Sequence, residues 1–210
     1  MLRWICAAAA LQFALLSPAL ACEGQTGKVI FDDNFEDDSG GWDLTPPTSA
    51  VKPPNLVFDL SKAVLTSSQV LTFHAKEADF CVEATIPKAP APDNSYYIGL
   101  VFWAADYANY WLVVVSDTGN ASLWQRANGN WQNIFKLANV PGLKAEGSNA
   151  LRVKTLGGKI SVYLNNQLLK AVRAQIPDGD LRFGAYGQLD KSIDVATPIL
   201  VSHYTVTAGQ

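Results

Sequence analysis

Short apolar runs alternate with polar turn residues along most of the chain, most densely from residue 96 onward. No long stretch keeps the 3.6-residue period of an amphipathic helix. Strand-length runs that recur about every ten residues, with turn residues between them, are typical of a sandwich or barrel. The runs are 28–31, 80–86, 96–103, 110–116, 121–127, 131–137, 150–156, 159–165, 168–175, 181–187 and 199–207, with an alternating segment at 70–74. The pattern predicts an all-β, two-sheet antiparallel sandwich of about 12 strands.

Proline-rich segments interrupt this pattern twice. Residues 44–56 contain four prolines, and we expect an extended irregular loop there because proline cannot donate a strand hydrogen bond. A second proline cluster at 87–92 follows the run 80–86. Strand patterns resume directly on both sides of each cluster, so neither is predicted to be a domain linker. Residues 22–210 are therefore expected to form one domain.

Two turns near the middle of the chain predict which side chains lie opposite each other. If residues 118–119 are the centre of one turn, Arg126 faces Trp111; if residues 128–129 are the next centre, Arg126 faces Trp131. Asn-Gly between two apolar runs is a strong signal for a two-residue hairpin. Arg126 is thus expected between two indoles, a cation–π arrangement worth about 1 kcal/mol.

Pairing Trp103 with Tyr110 extends this register and sorts the strands into two faces. The more apolar face is expected to pack on the partner sheet; it carries Ile98, Leu100, Phe102, Trp111, Val113, Val115, Trp124, Trp131 and Phe135, with Ser122, Arg126 and Asn133. The opposite face combines aromatic rings with amides, which match the C–H faces and hydroxyls of sugars. Four of its residues are predicted to line a carbohydrate-binding surface, unless they only decorate a solvent face or lie under a loop. They are Trp103, Tyr110, Gln125 and Gln132.

The N-terminus has the features of a secretory signal. Arg3 precedes an apolar stretch at 4–16, and the small-residue triplet Ala-Leu-Ala follows at 19–21. Residues 1–21 are therefore predicted to be a signal peptide, and the mature chain is expected in the periplasm or outside the cell. A membrane-spanning helix is the alternative, but it needs about 20 apolar residues.

Cleavage after residue 21 would leave Cys22 and Cys81 as the two cysteines of the mature chain. An even pair in an oxidising compartment predicts a disulfide. A lipid anchor on Cys22 is the alternative, although such signals usually carry leucine three residues before the cysteine, where this chain has Ala19.

The charge of the chain and the spacing of its acidic residues and histidines argue against nucleic-acid binding and against common metal sites. The chain has 19 acidic and 16 basic residues and no basic cluster, so nucleic acid is not an expected partner. The acidic segment 32–38 could ligate calcium, but it lacks the glycine and glutamate positions of an EF-hand loop. His74 and His203 lie in strand patterns without further ligands at zinc spacing, so both are expected to be structural. No cofactor is expected.

Several short motifs occur in a recognisable order. They are IFDDNF at 30–35 with GW at 41–42, GLVF at 99–102, NYW at 109–111, DTG at 117–119, NALRV at 149–153, GGKI at 157–160 and VYLN at 162–165. In this order they resemble the concanavalin A-like lectin and glucanase superfamily, and the later motifs resemble its laminin-G-like and 3-keto-disaccharide-hydrolase-like members. The resemblance implies a jelly-roll sandwich. These motifs are mostly turn and core positions, so they imply little about activity.

One departure from that superfamily bears on catalysis. Its retaining glucanases carry Glu-x-Asp-x-Glu on one strand, which places two carboxylates on one face. The five glutamates of this chain, at 23, 36, 77, 83 and 146, are not spaced that way, so the glucanase mechanism is not expected. Three functions remain open: non-enzymatic binding of a glycan or glycoconjugate, which we favour; hydrolysis of a modified (3-keto) disaccharide or other glycoside; and a structural role in the cell envelope without a small ligand.

Overall fold

The computed structural model describes Cys22 and residues 24–60, 65–70, 75–89, 94–190 and 197–208, with 65–70 described by their backbone. His74 and most of the alternating run 70–74 lie outside these residues. No helix among them is long and apolar enough to cross a membrane. They form fourteen strands: β1 Lys28–Asp33, β2 Ser49–Lys52, β3 Asn55–Phe58, β4 Leu65–Val70, β5 Asp79–Thr85, β6 Tyr96–Asp106, β7 Asn109–Ser116, β8 Ala121–Ala127, β9 Asn130–Leu137, β10 Ser148–Leu156, β11 Lys159–Leu164, β12 Gln167–Arg173, β13 Arg182–Leu189 and β14 Ile199–Ala208.

The strands build two antiparallel sheets, which confirms the predicted all-β sandwich. The eight-stranded sheet has the order β12-β11-β10-β5-β14-β3-β2, and β1 pairs with β14 beyond the end of β3. The six-stranded sheet has the order β4-β13-β6-β7-β8-β9. The six-stranded sheet therefore contains all three central hairpins whose register the sequence addresses.

Side chains from both sheets share one core. The ring of Phe80 on β5 lies 6.0 Å from that of Phe102 on β6 and 5.8 Å from that of Phe183 on β13. Trp111 and Val113 are buried in the same core, as predicted. Edge and tilted ring contacts of this kind contribute about 0.5–1.5 kcal/mol each beyond the area that they bury.

The hairpin between β8 and β9 has the predicted register. Asn128 and Gly129 both have positive φ, 50° and 79°, as a two-residue type I′ turn requires. Arg126 consequently pairs with Trp131.

The predicted register between β7 and β8 is wrong by one residue. Trp111 pairs with Gln125 rather than with Arg126. The loop contains three residues, 117–119, and ends on Gly119 with φ 78°, whereas the prediction assumed a two-residue turn. Since a one-residue slip exchanges the two faces of a strand, the predicted faces of β8 and of the first part of β9 are reversed. A bulge between the two strands beyond Trp124 restores the predicted face of Phe135, which is buried in the core.

The proline-rich segment 44–56 is more regular than predicted. It contains β2 and the start of β3, which form a hairpin within the eight-stranded sheet. Pro53 and Pro54 occupy the turn between the two strands, and Pro46 and Pro47 lie in the turn before β2. Proline disrupts a strand only where its nitrogen would have to donate, so these positions are compatible with both strands.

Cys22 and Cys81 form the predicted disulfide, with their Cα atoms 5.9 Å apart. Both cysteines are buried and pack with Ala150. The bond joins the beginning of the described chain to β5 in the middle of the eight-stranded sheet.

Candidate functional site

The side of the six-stranded sheet that faces away from the core, here called the outer face, carries the candidate site. Three cross-strand rows of β7, β8 and β9 run over it. They are Tyr110–Arg126–Trp131, Leu112–Trp124–Asn133 and Val114–Ser122–Lys136. Neighbouring β6 and β13 add Tyr97 and Tyr186.

The floor of the outer face is apolar and closely packed. Leu112 and Val114 are buried although they point away from the core, and Tyr186 is buried beside them. A Cβ atom on Gly99 would lie 2.9 Å from Val114 Cγ1 and 3.0 Å from Leu112 Cδ1. The absence of a side chain at Gly99 therefore leaves the space that these two side chains occupy. The central strand β7 is therefore apolar on both faces.

A depression of about 350 Å³ opens over this floor. It combines apolar and aromatic walls with amide, hydroxyl and ammonium groups, the usual composition of a small-molecule site. Its lining residues are Tyr97, Leu112, Val114, Asn120, Ser122, Trp124, Trp131, Lys136, Tyr186 and Gln188.

Trp131 is the exposed aromatic ring of the site, with 41% of its surface accessible. Its ring is approached edge-on by Tyr110 at 5.5 Å and by Trp124 at 6.2 Å. The Arg126 guanidinium lies 5.5 Å from the centroid of the Trp131 ring and 5.9 Å from that of Tyr110. These contacts hold the indole in place while leaving part of it open to a ligand.

Asp190, at the end of β13, organises the polar side of the depression. One of its oxygens accepts a hydrogen bond from the Tyr97 hydroxyl at 3.1 Å, and the other accepts from the Gln188 amide at 2.9 Å. The Tyr186 hydroxyl in turn donates to Gln188 Oε1 at 3.0 Å. On the opposite side, the Trp124 indole N–H donates to the hydroxyl of Ser122.

Both phenols of this network remain protonated at neutral pH. Burial, followed by the charge of Asp190, raises the pKa of Tyr97. Burial is also the largest cause that raises the pKa of Tyr186. Each hydroxyl donates its proton within the protein, so its oxygen keeps the capacity to accept a hydrogen bond from a ligand.

Trp103 does not lie on the outer face, which corrects its assignment to the ligand surface. It is 1% exposed, and its ring meets that of Trp111 edge-on at 5.9 Å. A bulge in β6 between Phe102 and Asp106 breaks the alternation of side chains, and Trp103 adopts φ 50° there. Its indole N–H donates to the carbonyl of Lys76.

Of the other predicted site residues, only Tyr110 lies on the outer face. Gln125 and Gln132 pair with each other as predicted, but Gln125 also pairs with Trp111, and directly opposed residues share a face. The two amides therefore lie on the core-facing side of the sheet, and the structure does not bring them together with Tyr110.

The sequence analysis does not identify Tyr186 and Gln188 as residues of the depression, and it places Trp124 and Trp131 on the core-facing side of the sheet. One signal could have placed these two correctly. The sequence Asp117-Thr118-Gly119 fits a three-residue hairpin loop with glycine in the left-handed conformation. That loop shifts the register by one and moves both indoles to the outer face. Tyr186 and Gln188 come from β13, whose pairing with β6 gives no local signal.

Among the described residues, two groups have the chemistry of metal ligands. In the acidic segment 32–38, Asp33 accepts hydrogen bonds from the Phe35 amide and the Trp42 indole. Cys22, Glu83 and His203 also lie close together, but the sulfur of Cys22 is used in the disulfide. Neither group adjoins the depression. The expectation that no cofactor is bound stays a prediction.

Several solved structures share this architecture. A β-glucanase from Bacillus licheniformis has a TM-score of 0.63 and 13% identity, covering 88% of this chain and 100% of its own. The carbohydrate-binding module CBM66 from Bacillus subtilis has a TM-score of 0.56 and 14% identity, covering 78% and 94%. The Emp47p carbohydrate recognition domain has a TM-score of 0.65 and 12% identity, covering 86% and 96%.

No protein-family model and no curated protein sequence matches this chain. At identities this low, the structural likeness bears on the fold alone. The order of the strands, the two-sheet core and these neighbours together show that the chain has the concanavalin A-like sandwich fold that its motifs resemble.

Proposed function

We propose that the protein is exported and binds a carbohydrate or glycoconjugate on its outer face without cleaving it. The observation that carries this proposal is the accessible indole of Trp131, held by its neighbours beside a depression of about 350 Å³. Among the predicted ligand-binding residues, Tyr110 stays part of the proposed site because it contacts this indole.

The chemistry of the depression suits a sugar. A pyranose ring presents an apolar C–H face, for which the flat indoles of Trp131 and Trp124 are complementary. Its hydroxyl groups both donate and accept hydrogen bonds, and the amides of Gln188 and Asn120 offer both functions. Lys136 adds a donor at the rim.

The structural neighbours support a sugar as the ligand. They include a carbohydrate-binding module, a carbohydrate recognition domain and several β-glucanases. We therefore take β-1,3-glucan oligosaccharides as the first probes, within a wider glycan array that includes acidic sugars.

The placement of carboxylates favours binding over hydrolysis. Glycosidases place two carboxyl groups on either side of the scissile bond, about 5 to 9.5 Å apart. Among the described residues that line the depression, none is a carboxylate, and Asp190 stands at its margin. Two other carboxylates, those of Glu83 and Asp106, do not form a catalytic pair on one sheet, because Glu83 is on β5 of the eight-stranded sheet and Asp106 is on β6 of the six-stranded sheet.

The disulfide supports export. Disulfides form and persist in oxidising compartments, and the bond between Cys22 and Cys81 accompanies an N-terminal segment with the pattern of a secretory signal. Both features agree with a site that meets glycans in the periplasm or outside the cell.

Calorimetric titration of the mature protein with the glycans selected on the array tests the proposal. Trp131→Ala should weaken binding at least tenfold, or about 1.4 kcal/mol, because the stacking surface is lost. Leu168→Ala, which removes an exposed apolar side chain on β12 of the other sheet, should leave the affinity unchanged.

Absence of binding at millimolar concentration would leave the structural role as the better account. Equal loss of affinity in both variants would place the site elsewhere. Release of shorter sugars from the bound oligosaccharide, followed by chromatography, would instead establish the hydrolase.

A further inference from the structure

Cys22 lies against a cluster of charged side chains on the exposed side of the eight-stranded sheet. Its backbone nitrogen donates a hydrogen bond of 2.9 Å to Glu83 Oε1 on β5. The disulfide to Cys81, two residues before Glu83, holds Cys22 in this position. Cys22 is itself buried, so its nitrogen and the Glu83 carboxylate meet where water has little access.

His203 on β14 completes the cluster. Its Nε2 lies 2.7 Å from Asp32 Oδ1, and its Nδ1 lies 3.7 Å from Glu83 Oε1. The Nδ1 atom is buried and makes no hydrogen bond to the described residues. The hydrogen-bonding and charge of Glu83, with a further contribution from Asp32, raise the pKa of His203 against the opposing effect of its burial.

We propose that the chain is cut between Ala21 and Cys22, and that the α-ammonium group released on Cys22 forms an ion pair with Glu83 that anchors the mature N-terminus to the sheet. An endopeptidase would catalyse the hydrolysis. Water supplies the hydroxyl of the new Ala21 carboxyl group and a hydrogen of the new Cys22 amine. The amine takes a further proton from solvent at neutral pH because an unperturbed α-amine has a pKa of about 7.7–8.0.

The charge of the cluster favours this assignment. When the chain continues upstream of Cys22, its nitrogen is an uncharged amide beside the Glu83 carboxylate. A released amine places a positive charge at the same position, within hydrogen-bond distance of that carboxylate.

The position of the expected cleavage site also supports the ion pair. The A-x-A triplet at 19–21 ends directly before the residue whose nitrogen reaches Glu83. This inference rests on the proposed export and is independent of sugar binding on the other sheet, so either can fail without the other.

Intact-mass analysis of the protein recovered from an exporting host, with the full chain as the starting sequence, gives the first readout. We expect a mature form that begins at Cys22 and contains no lipid. A different first residue, or a diacylglycerol on Cys22, would overturn the inference.

Competitive acetylation of the mature protein across pH then gives the pKa of the Cys22 amine. We expect a value at least one unit above the unperturbed range, and a return toward that range in Glu83→Gln. Glu36→Gln, which neutralises an exposed carboxylate in the acidic loop, is the matched control and should leave the value raised.

A merely structural role of Glu83 would not change the amine pKa. The ion pair would be refuted if the amine titrates in the ordinary range in the unsubstituted protein. It would also be refuted if the raised pKa of the amine is unchanged in Glu83→Gln. A thermal comparison gives an independent check: Glu83→Gln should lower the Tm by about 2–4 °C more in the free-amine protein than in the Nα-acetylated protein.

Discussion

Truncation of Trp103 to alanine should remove a large part of the folding free energy. The side chain is 1% exposed and is among the largest fully buried ones. Replacing a buried Phe or Trp by alanine costs about 3–5 kcal/mol, as lost transfer free energy plus the cavity left behind. The hydrogen bond to the Lys76 carbonyl adds less, because that residue is exposed and water can replace the indole.

A loss of this size is about a fifth or more of the stability of a typical domain, which is about 5–15 kcal/mol. Urea unfolding followed by circular dichroism measures it, and the midpoint should fall with an unchanged m-value. Trp131→Ala is the matched control. It removes the same side chain from a site that is 41% exposed, so its cost should stay within about 1 kcal/mol.

The two variants should therefore separate stability from binding. Trp103→Ala destabilises, whereas Trp131→Ala folds normally and loses the sugar. A Trp103→Ala protein with unchanged stability, or a Trp131→Ala protein that unfolds, would show that the core and the outer face have been assigned to the wrong indoles.

Three further changes test the fold. Gly119→Ala should cost about 1–2 kcal/mol in thermal unfolding, because an L residue is strained at φ 78° although an added Cβ meets nothing closer than 3.9 Å; an unchanged Tm would argue against the three-residue loop. Replacing Cys22 and Cys81 together by serine should cost about 4 kcal/mol in the chain-entropy model, and a cost below 1 kcal/mol in denaturant titration would contradict it. His203 has a raised pKa in the folded protein, so its stabilising contribution should be complete below its unfolded pKa of about 6.5 and disappear as the pH rises through the folded value. His203→Gln should abolish this dependence in unfolding curves recorded between pH 5 and 9, and identical profiles for both proteins would exclude the effect.

The fold class could be predicted because local signals agree with one another over most of the chain. Asn128-Gly129 gives both the position and the type of its turn, since few residues other than Asn and Gly adopt positive φ in succession. The run at 110–116 is rich in apolar and β-branched residues, which indicates a strand. Turn chemistry and strand composition are short-range properties, which a sequence displays directly.

The site could not be predicted because it depends on register. A single additional loop residue before Asn120 moves Trp124 to the other face of the sheet, and a bulge in β6 turns Trp103 into the core. Both depend on small differences in backbone conformation. The contribution of Tyr186 arises from the pairing of β13 with β6, far away in sequence, and no local pattern reports such a contact.

The most direct test of the central claim is to record the indole N–H resonances of the mature protein by heteronuclear NMR while a bound glucan oligosaccharide is titrated in. Residues 22–210 contain five tryptophans, at 42, 103, 111, 124 and 131. The account predicts that the signals of Trp124 and Trp131 shift progressively with ligand, while those of the buried Trp42, Trp103 and Trp111 stay in place. Saturable binding with unmoved signals from Trp124 and Trp131 would contradict it, because the sugar would then occupy another part of the molecule.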